Sequence, residues 1–472
     1  MRTSLLTRVL ERLGPTVAVL VGLGFGIGRF TEVDTWWHLR VGEHILRTGE
    51  LSGPDPWASF AARPYVATQW LPEAVAAWTV DHMGLGAIVL LRALGTVSLA
   101  VVLYAVCRLR AGRLASGVVA ATAVLGAGGG LNPRPQLTSF VLFGLVVFAW
   151  LRTVDDHRAR WWLVPVFWVW ACCHGLWTFG LAMGAIFLLS MVLDRRRRPD
   201  RRATARLLAL LAACTVAVAA TPLGPGLLGT PFTVAETATG LADEWRATPL
   251  NNIYSVVAVT MVVATLVLWL LAGERPKVWE AAALLTAVAL ILGMWRLVPL
   301  GCIVVAPLLA SAVGSWNVRG REAWSRREGW AVTVGWLLAM VMAGTVALAS
   351  PAGRANQLFP GDMSSIDIAL ARLPPKTVVL DDFAVSGWLL WQHPELTPVI
   401  DLRAEIYDAD YIAMFRRTDE VRPGWRDLIH TTGARVAVLR SNSALALALR
   451  DRDEWREVAK TRQWVMLQSP AA

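Results

Sequence analysis

Apolar runs about as long as a bilayer is thick recur along most of the chain, broken by short charged or Pro/Gly-rich links. They fall near residues 15–31, 84–106, 114–130, 137–151, 161–173, 176–193, 207–221, 251–272, 278–295, 298–314 and 329–349. A helix that crosses a bilayer needs roughly 20 predominantly apolar residues, so the pattern predicts about eleven spans. The fifth run is short and reads as one half of a broken pair with the sixth. From about Ala352 the pattern changes. Asp362 is placed to cap a helix running to Arg372, and short β-rich runs follow at Thr377–Asp381, Pro398–Asp401, Arg435–Leu439 and Trp464–Leu467. The expected fold is an α-helical polytopic membrane protein over residues 1–350, with a small C-terminal α/β soluble domain over 351–472. About 120 residues suffice for a core of their own.

Composition agrees with this reading and excludes others. The chain is 55% hydrophobic and 17% charged, with mean hydropathy +0.49, against roughly 25% charged for a soluble domain. A soluble enzyme and a disordered chain are both ruled out. The formal charge is +10, but residues 1–349 hold 30 basic and 19 acidic side chains while 350–472 hold 15 and 16. The excess belongs to the apolar part, so no nucleic-acid partner is expected. Basic residues cluster in alternate loops: Arg2/Arg8/Arg12, Arg108/Arg110/Arg113, Arg152/Arg158/Arg160, the Arg195–Arg206 run, Arg275/Lys277 and Arg319/Arg321/Arg326/Arg327. The positive-inside rule then places the N-terminus inside and, after eleven spans, the tail outside. The other face is acidic, with Glu32, Asp34, Glu43, Glu50, Asp55, Glu73, Asp81, Glu236, Asp243 and Glu244.

The Arg195–Arg198 run reads as a topology determinant rather than an anionic-lipid patch, and the first run, without a small-residue cleavage site, as an uncleaved span. Trp36, Trp37, Trp161, Trp162, Trp279, Trp295 and Trp330 stand at span ends, where interfacial anchoring is expected. Gly22, Gly24, Gly26 and Gly28 lie inside a span and read as close helix packing rather than a phosphate loop. The five cysteines all lie in apolar stretches, with no disulfide framework and no CxxC site.

The first outer loop, residues 32–83, is long for a bundle with short links, and long ordered loops are often functional. Trp36, Trp37, Val41, Ile45 and Leu46 share one side of a helix over 35–47, which is expected to lie flat on the membrane surface. Asp34 stands at its start, where it serves as an N-cap, as a catalytic group, or as both. His38 follows four residues on, on the same face, to orient that carboxylate or to share a metal with Glu32 and Asp34. A divalent cation, Mg²⁺ or Mn²⁺, at Glu32/Asp34 is carried as an expectation; two carboxylates and one histidine make a weak ligand set.

The acidic end of the first span, the amphipathic helix closed by Gly49, the Pro54-Asp55-Pro56 turn and the Tyr65–Pro72 approach to the next span resemble the first outer loop of C-type (GT-C) glycosyltransferases. Those are polytopic enzymes that use polyprenyl-phosphate-linked sugars. The resemblance implies that Asp34 is the catalytic residue, with Glu32 beside it. Asn132-Pro133-Arg134-Pro135-Gln136, His174-Gly175, Thr221-Pro222-Leu223-Gly224 and Arg296-Leu297-Val298-Pro299 resemble a bacterial subgroup, with Cys172 and Thr221 standing where that subgroup often has Asn. In the tail, Ser386-Gly387-Trp388-Leu389 and Ile400-Asp401-Leu402-Arg403 resemble its Gly-Gly-Tyr-Leu and Ile-Asp-Gly-Arg patterns. An ion-paired structural cluster of Asp381, Asp382, Asp401 and Arg403 is expected there.

A polyprenyl phosphate leaves as a stable anion, so one carboxylate base on the acceptor hydroxyl suffices for an inverting displacement. The departing phosphate needs fixed cations; Arg134 and Arg296 are the candidates, each standing almost alone at the outer end of a span. An arginine there also snorkels to head groups. Asp55, Gln69, Gln136 and His174 are candidate substrate-binding residues, with helix packing the alternative for His174. The expected partners are membrane lipids, a polyprenyl-phosphate sugar donor and an extracytoplasmic glycan, lipid or protein acceptor, at the bacterial cytoplasmic membrane. The rival readings are a transporter or lipid flippase, an inactive scaffold, and an acyltransferase with His174 as base. Spans nearly free of charge apart from Arg92 argue against ion coupling.

Overall fold

A computed structural model describes residues 5–28, 32–196, 198–233, 243–273, 275–316, 324–349 and 362–470. Glu236, Arg197, Arg319, Arg321 and the change of composition near Ala352 lie outside the described residues. The chain divides into two compact units: residues 1–29, 87–231 and 242–349 form the first, and residues 30–86, 232–241 and 350–472 the second. The first loop thus groups with the tail and not with the helical bundle from which it emerges in sequence.

The first unit is all helix: α1 (Leu5–Ile27), α4 (Ala87–Arg108), α5 (Arg113–Gly126), α6 (Gln136–Asp156), α7 (Leu163–Cys173), α8 (Trp177–Leu193), α9 (Arg201–Ala219), α10 (Ile253–Ala272), α11 (Val278–Gly293), α12 (Val298–Trp316) and α13 (Arg326–Ala349). Six segments among the described residues are long and apolar enough to cross a membrane; α5, α7, α8, α11 and the Leu13–Ile27 part of α1 are shorter apolar helices. These eleven helices coincide with the eleven apolar runs. The fifth and sixth are separate helices joined by His174–Leu176, with His174 extended (φ −174°).

Small residues bring α1 and α4 together. A Cβ added at Gly26 would lie 2.5 Å from the Ala93 Cα, and one at Gly22 2.9 Å from the Thr96 carbonyl, so only glycine permits this approach. Arg92, the charged residue in that span, donates to the carbonyls of Leu131 (2.7 Å) and Gly28 (3.1 Å). Buried Glu328 accepts from Arg108 Nε (2.6 Å), Tyr104 Oη (2.7 Å) and Arg113 Nε (3.1 Å), tying α13 to α4 and α5. A buried carboxylate persists only when paired in this way.

The second unit is α/β. Within the loop lie α2 (Asp34–Thr48), the two-residue strands β1 (Ser52–Gly53) and β2 (Tyr65–Val66), paired antiparallel, and α3 (Trp70–Met83). The tail supplies α14 (Ser364–Leu370), β3 (Val378–Asp381), α15 (Ser386–Gln392), β4 (Thr397–Pro398), α16 (Ala409–Asp419), α17 (Asp427–Thr432), β5 (Val436–Arg440), α18 (Ala444–Asp453), β6 (Arg456–Lys460) and β7 (Trp464–Gln468). The five-stranded sheet runs β4-β3-β5-β7-β6, with β3 parallel to β4 and β5, and β7 antiparallel to β5 and β6. Three strands, β3, β5 and β7, fall where the β-rich runs predict them, and β4 overlaps the Pro398–Asp401 run only at Pro398. The fifth, β6, escapes the sequence because its charged edge (Arg456, Glu457, Lys460) carries no apolar face. The helix after Asp362 ends at Leu370, two residues short of Arg372.

Loop and tail share one hydrophobic core. Trp37, Val41 and Ile45 of α2 and Tyr65 and Ala67 of the loop pack with Leu380, Leu390, Val399 and Ile400 of the tail. The apolar face of α2 therefore covers the unit's own core, which corrects the expectation that it lies on a lipid surface. Trp36 (4% exposed), Trp37 and Trp279 are buried as well, whereas Trp161, Trp162 and Trp330 are exposed as interfacial anchors would be. Gly49 closes α2 with φ 73°, its amide bonded to the Ile45 carbonyl at 2.8 Å; a left-handed C-cap favours glycine.

Candidate functional site

Two clusters hold most of the residues singled out in the sequence, one in each unit. In the helical unit, Arg134 precedes α6, Arg296 precedes α12, His174 follows α7, and Glu244 lies in a short 3₁₀ turn, Asp243–Trp245. Glu244 binds both guanidiniums: Arg134 Nη1 donates to Oε2 at 3.1 Å, and Arg296 Nη1 donates to Oε1. Arg296 also lies 5.4 Å from the Trp245 ring centroid, faces His174 Nε2 through Nη2 at 3.2 Å, and accepts from Gln136 Nε2 at its carbonyl (3.4 Å). Four sequence-named residues, Arg134, Gln136, His174 and Arg296, thus meet in one place. The expectation that each arginine stands almost alone needs correction, because a carboxylate 110 residues from the first joins them.

Burial pushes the Glu244 carboxyl up, and the two guanidiniums more than offset it, holding it below the usual carboxylate value. It is ionised at neutral pH and occupies a place suited to an anion. His174 Nδ1 accepts from the Leu176 amide at 3.2 Å, so both ring nitrogens face N–H donors. A neutral imidazole has a single acceptor nitrogen. Neither nitrogen is open to take up a proton from a substrate.

In the second unit, Asp34 is the first residue of α2 and partly exposed, while the N-cap is Val33, with no side-chain cap bond. The N-cap reading of Asp34 is therefore corrected by one residue. Glu32 is buried, and its Oε1 accepts the Asp34 amide at 3.0 Å. His38, one turn into the helix, is also buried; its Nδ1 lies 2.8 Å from Oε1 of fully buried Glu73 in α3. Burial raises the Glu73 carboxyl well above its ordinary value. This pairing leaves no local trace in the sequence: the two residues lie 35 apart, and nothing local couples them. The crossing of α2 and α3 is close because Gly42 has no side chain; a Cβ there would stand 2.1 Å from the Glu73 carbonyl oxygen.

Asp55 plays a different part from the substrate-binding one expected of it. Its Oδ1 caps the Trp57 and Ala58 amides (2.9 and 2.6 Å), and both oxygens accept from Arg403. Arg403 also donates to Asp401, at 2.6 Å from Nη2 to Oδ2. The expected strand-end cluster splits: Asp401 pairs with Arg403, Asp382 with Arg440 (3.2 Å), and Asp381 accepts the Val399 and Ile400 amides. Gln69 is the partly exposed N-cap of α3 and uses no side-chain cap bond. Among the described residues no three His, Cys, Asp or Glu side chains converge as a metal-holding group.

The fold is shared with two solved membrane-protein structures, an archaeal oligosaccharyltransferase and the bacterial protein ArnT. Among solved structures, an oligosaccharyltransferase of Archaeoglobus fulgidus in the apo form aligns with a TM-score of 0.58 at 12% identity, over 93% of this chain and 70% of that one. The same enzyme tethered to an acceptor peptide with an NVT sequon gives 0.54 at 12% identity, over 91% and 69%. ArnT from Cupriavidus metallidurans gives 0.50 at 14% identity, over 96% and 97%, in the apo state and again bound to undecaprenyl phosphate. No protein-family model and no curated protein sequence matches the chain. With identities this low the likeness defines the fold alone; the multi-pass membrane character rests on this chain's own helices, six of which, among the described residues, are long and apolar enough to cross a membrane.

Proposed function

We propose that this protein transfers a sugar from a polyprenyl-phosphate-linked donor to an acceptor outside the cytoplasm, at a bacterial cytoplasmic membrane with its N-terminus inside and its tail outside. The observation that carries the reading is that Arg134, Gln136, His174 and Arg296, from separate stretches of sequence, meet where two guanidiniums share Glu244. Two fixed cations suit the negative charge that grows on a departing phosphate. Asp34 acts as the base. It takes the proton from the acceptor hydroxyl, the acceptor oxygen attacks the anomeric carbon, and the bond from that carbon to the phosphate oxygen breaks, giving inversion and a free polyprenyl phosphate.

Glu32 holds the amide of Asp34, and His38, fixed by Glu73, tunes its surroundings. The reading needs no metal; a divalent cation is the alternative, for which Glu32 and Asp34 are the carboxylates that would hold it. The acyltransferase alternative loses weight because both His174 nitrogens already face donors.

The test is sugar transfer from a panel of radiolabelled polyprenyl-phosphate sugars by membranes carrying wild type or Asp34→Asn, at matched protein levels. Transfer by wild type and its loss in the variant, roughly a hundredfold or more for a removed general base, is the expected result. Equal transfer removes Asp34 from the mechanism. No transfer with any donor favours the transporter and inactive-scaffold readings.

A further inference from the structure

The tail's helix α15 meets the start of α2 at Gly387. A Cβ built on Gly387 would stand 2.9 Å from the Val33 carbonyl oxygen and 3.5 Å from the Trp37 amide nitrogen. Those atoms form the first turn of α2, since the N-cap carbonyl accepts the first intrahelical hydrogen bond, from the amide four residues on. Asp34 is the residue that follows Val33. Any side chain at position 387 would press on the backbone turn that carries the proposed base. One turn further along α15, Trp391 packs tilted against Trp36 with ring centroids 6.3 Å apart. The two contacts therefore bracket Asp34, one before it and one after.

This turn is contacted from outside the helix on its capping side. Valine at the N-cap has no side-chain oxygen to offer, and no side-chain cap bond is formed; such a cap ordinarily contributes about 1 kcal/mol. Glu32 supplies one acceptor, at the Asp34 amide. The buried face of α15, which includes Ser386, Gly387, Trp388 and Leu389, adds packing against it. The Ser-Gly-Trp-Leu segment, which sequence analysis could only match to a pattern, acquires a physical role. Its glycine allows backbone-to-backbone approach against a helix start that lacks a cap.

We propose that Gly387 is a positioning residue for Asp34, and that the tail contributes to transfer by fixing the first turn of α2. The inference rests on Asp34 being the base. Misplacement of a reacting group by about 1 Å costs about a hundredfold in rate, and a methyl group 2.9 Å from a carbonyl oxygen forces a shift of roughly half that, on the order of tenfold in rate.

The experiment compares the full-length protein, reconstituted in lipid, as wild type, Gly387→Ala, Trp391→Leu and Gly53→Ala. The last changes a glycine of the same unit with no atom within 4 Å of an added Cβ. Amide hydrogen exchange over residues 33–38 is read without substrate; kcat and donor KM are read with it. Gly387→Ala should exchange faster in that segment alone, with kcat down about tenfold and donor KM within about twofold. Trp391→Leu, which inserts no volume, should show the same pattern in weaker form, and Gly53→Ala should match wild type. Wild-type exchange and kcat in both α15 variants overturn the proposal. So does a loss shared by kcat, KM and exchange throughout the unit, which marks an ordinary packing role. A wild type that transfers no sugar overturns the reading of Asp34 itself, and faster local exchange in Gly387→Ala would then still identify the contact as structural.

Discussion

Arg403 donates to Asp55 across 348 residues of sequence, at 2.5 Å from Nη1 to Oδ2, while its Nη2 reaches Asp401 at 2.6 Å. The guanidinium is fully buried between the two carboxylates and lies 4.9 Å from the Tyr65 ring centroid and 5.2 Å from that of Trp57. This trio joins the first loop to the tail in a single α/β unit. The Ala62 and Arg63 amides, both bonded to the Ile406 carbonyl, and Phe60 stacked on Tyr411 add to the join.

Breaking the trio should be costly. Arg403→Ala leaves two carboxylates buried without their partner, and such a loss is worth about 3–5 kcal/mol. Limited proteolysis of the purified protein should cut the first loop and the tail together in this variant. A loop that stays protected while the tail is digested would mean that the two fold separately.

The Glu73 carboxyl is raised by burial. A raised carboxyl contributes stability that is complete below its unfolded value near pH 4.5 and is lost as pH climbs through the folded value. Glu73→Gln keeps a hydrogen-bonding partner for His38 and removes the titration. The variant should therefore gain in thermal stability relative to wild type as pH rises above about 5. Melting curves across pH 5 to 8 check the sign: a constant offset would mean that Glu73 does not titrate in this range.

Glu244 occupies the two guanidiniums proposed to meet the donor phosphate. Removing its charge leaves them free for an anionic ligand. Glu244→Gln should bind a polyprenyl phosphate about tenfold more tightly, equivalent to ~1.4 kcal/mol, whereas Arg296→Ala should bind it more weakly. Titration of the reconstituted protein with undecaprenyl phosphate measures both. Weaker binding by Glu244→Gln would assign Glu244 to holding the arginines in place.

The sequence by itself determined the eleven apolar helices, the α/β character of the tail, the close packing at Gly22 and Gly26, and the residues of interest near span ends. These follow from local rules. A span is a run of apolar residues, and a helix end is a glycine such as Gly49. What only the tertiary structure decided are relationships across long stretches of chain. The pairs Glu244 with Arg134, Glu73 with His38 and Asp55 with Arg403 leave no periodic trace, because a carboxylate 35 to 348 residues from its partner is indistinguishable in sequence from a solvated one. The same holds for the apolar face of α2. Its spacing predicted a face to be buried, but hydrophobicity has no direction, and only the fold decided that the tail's core covers it rather than lipid.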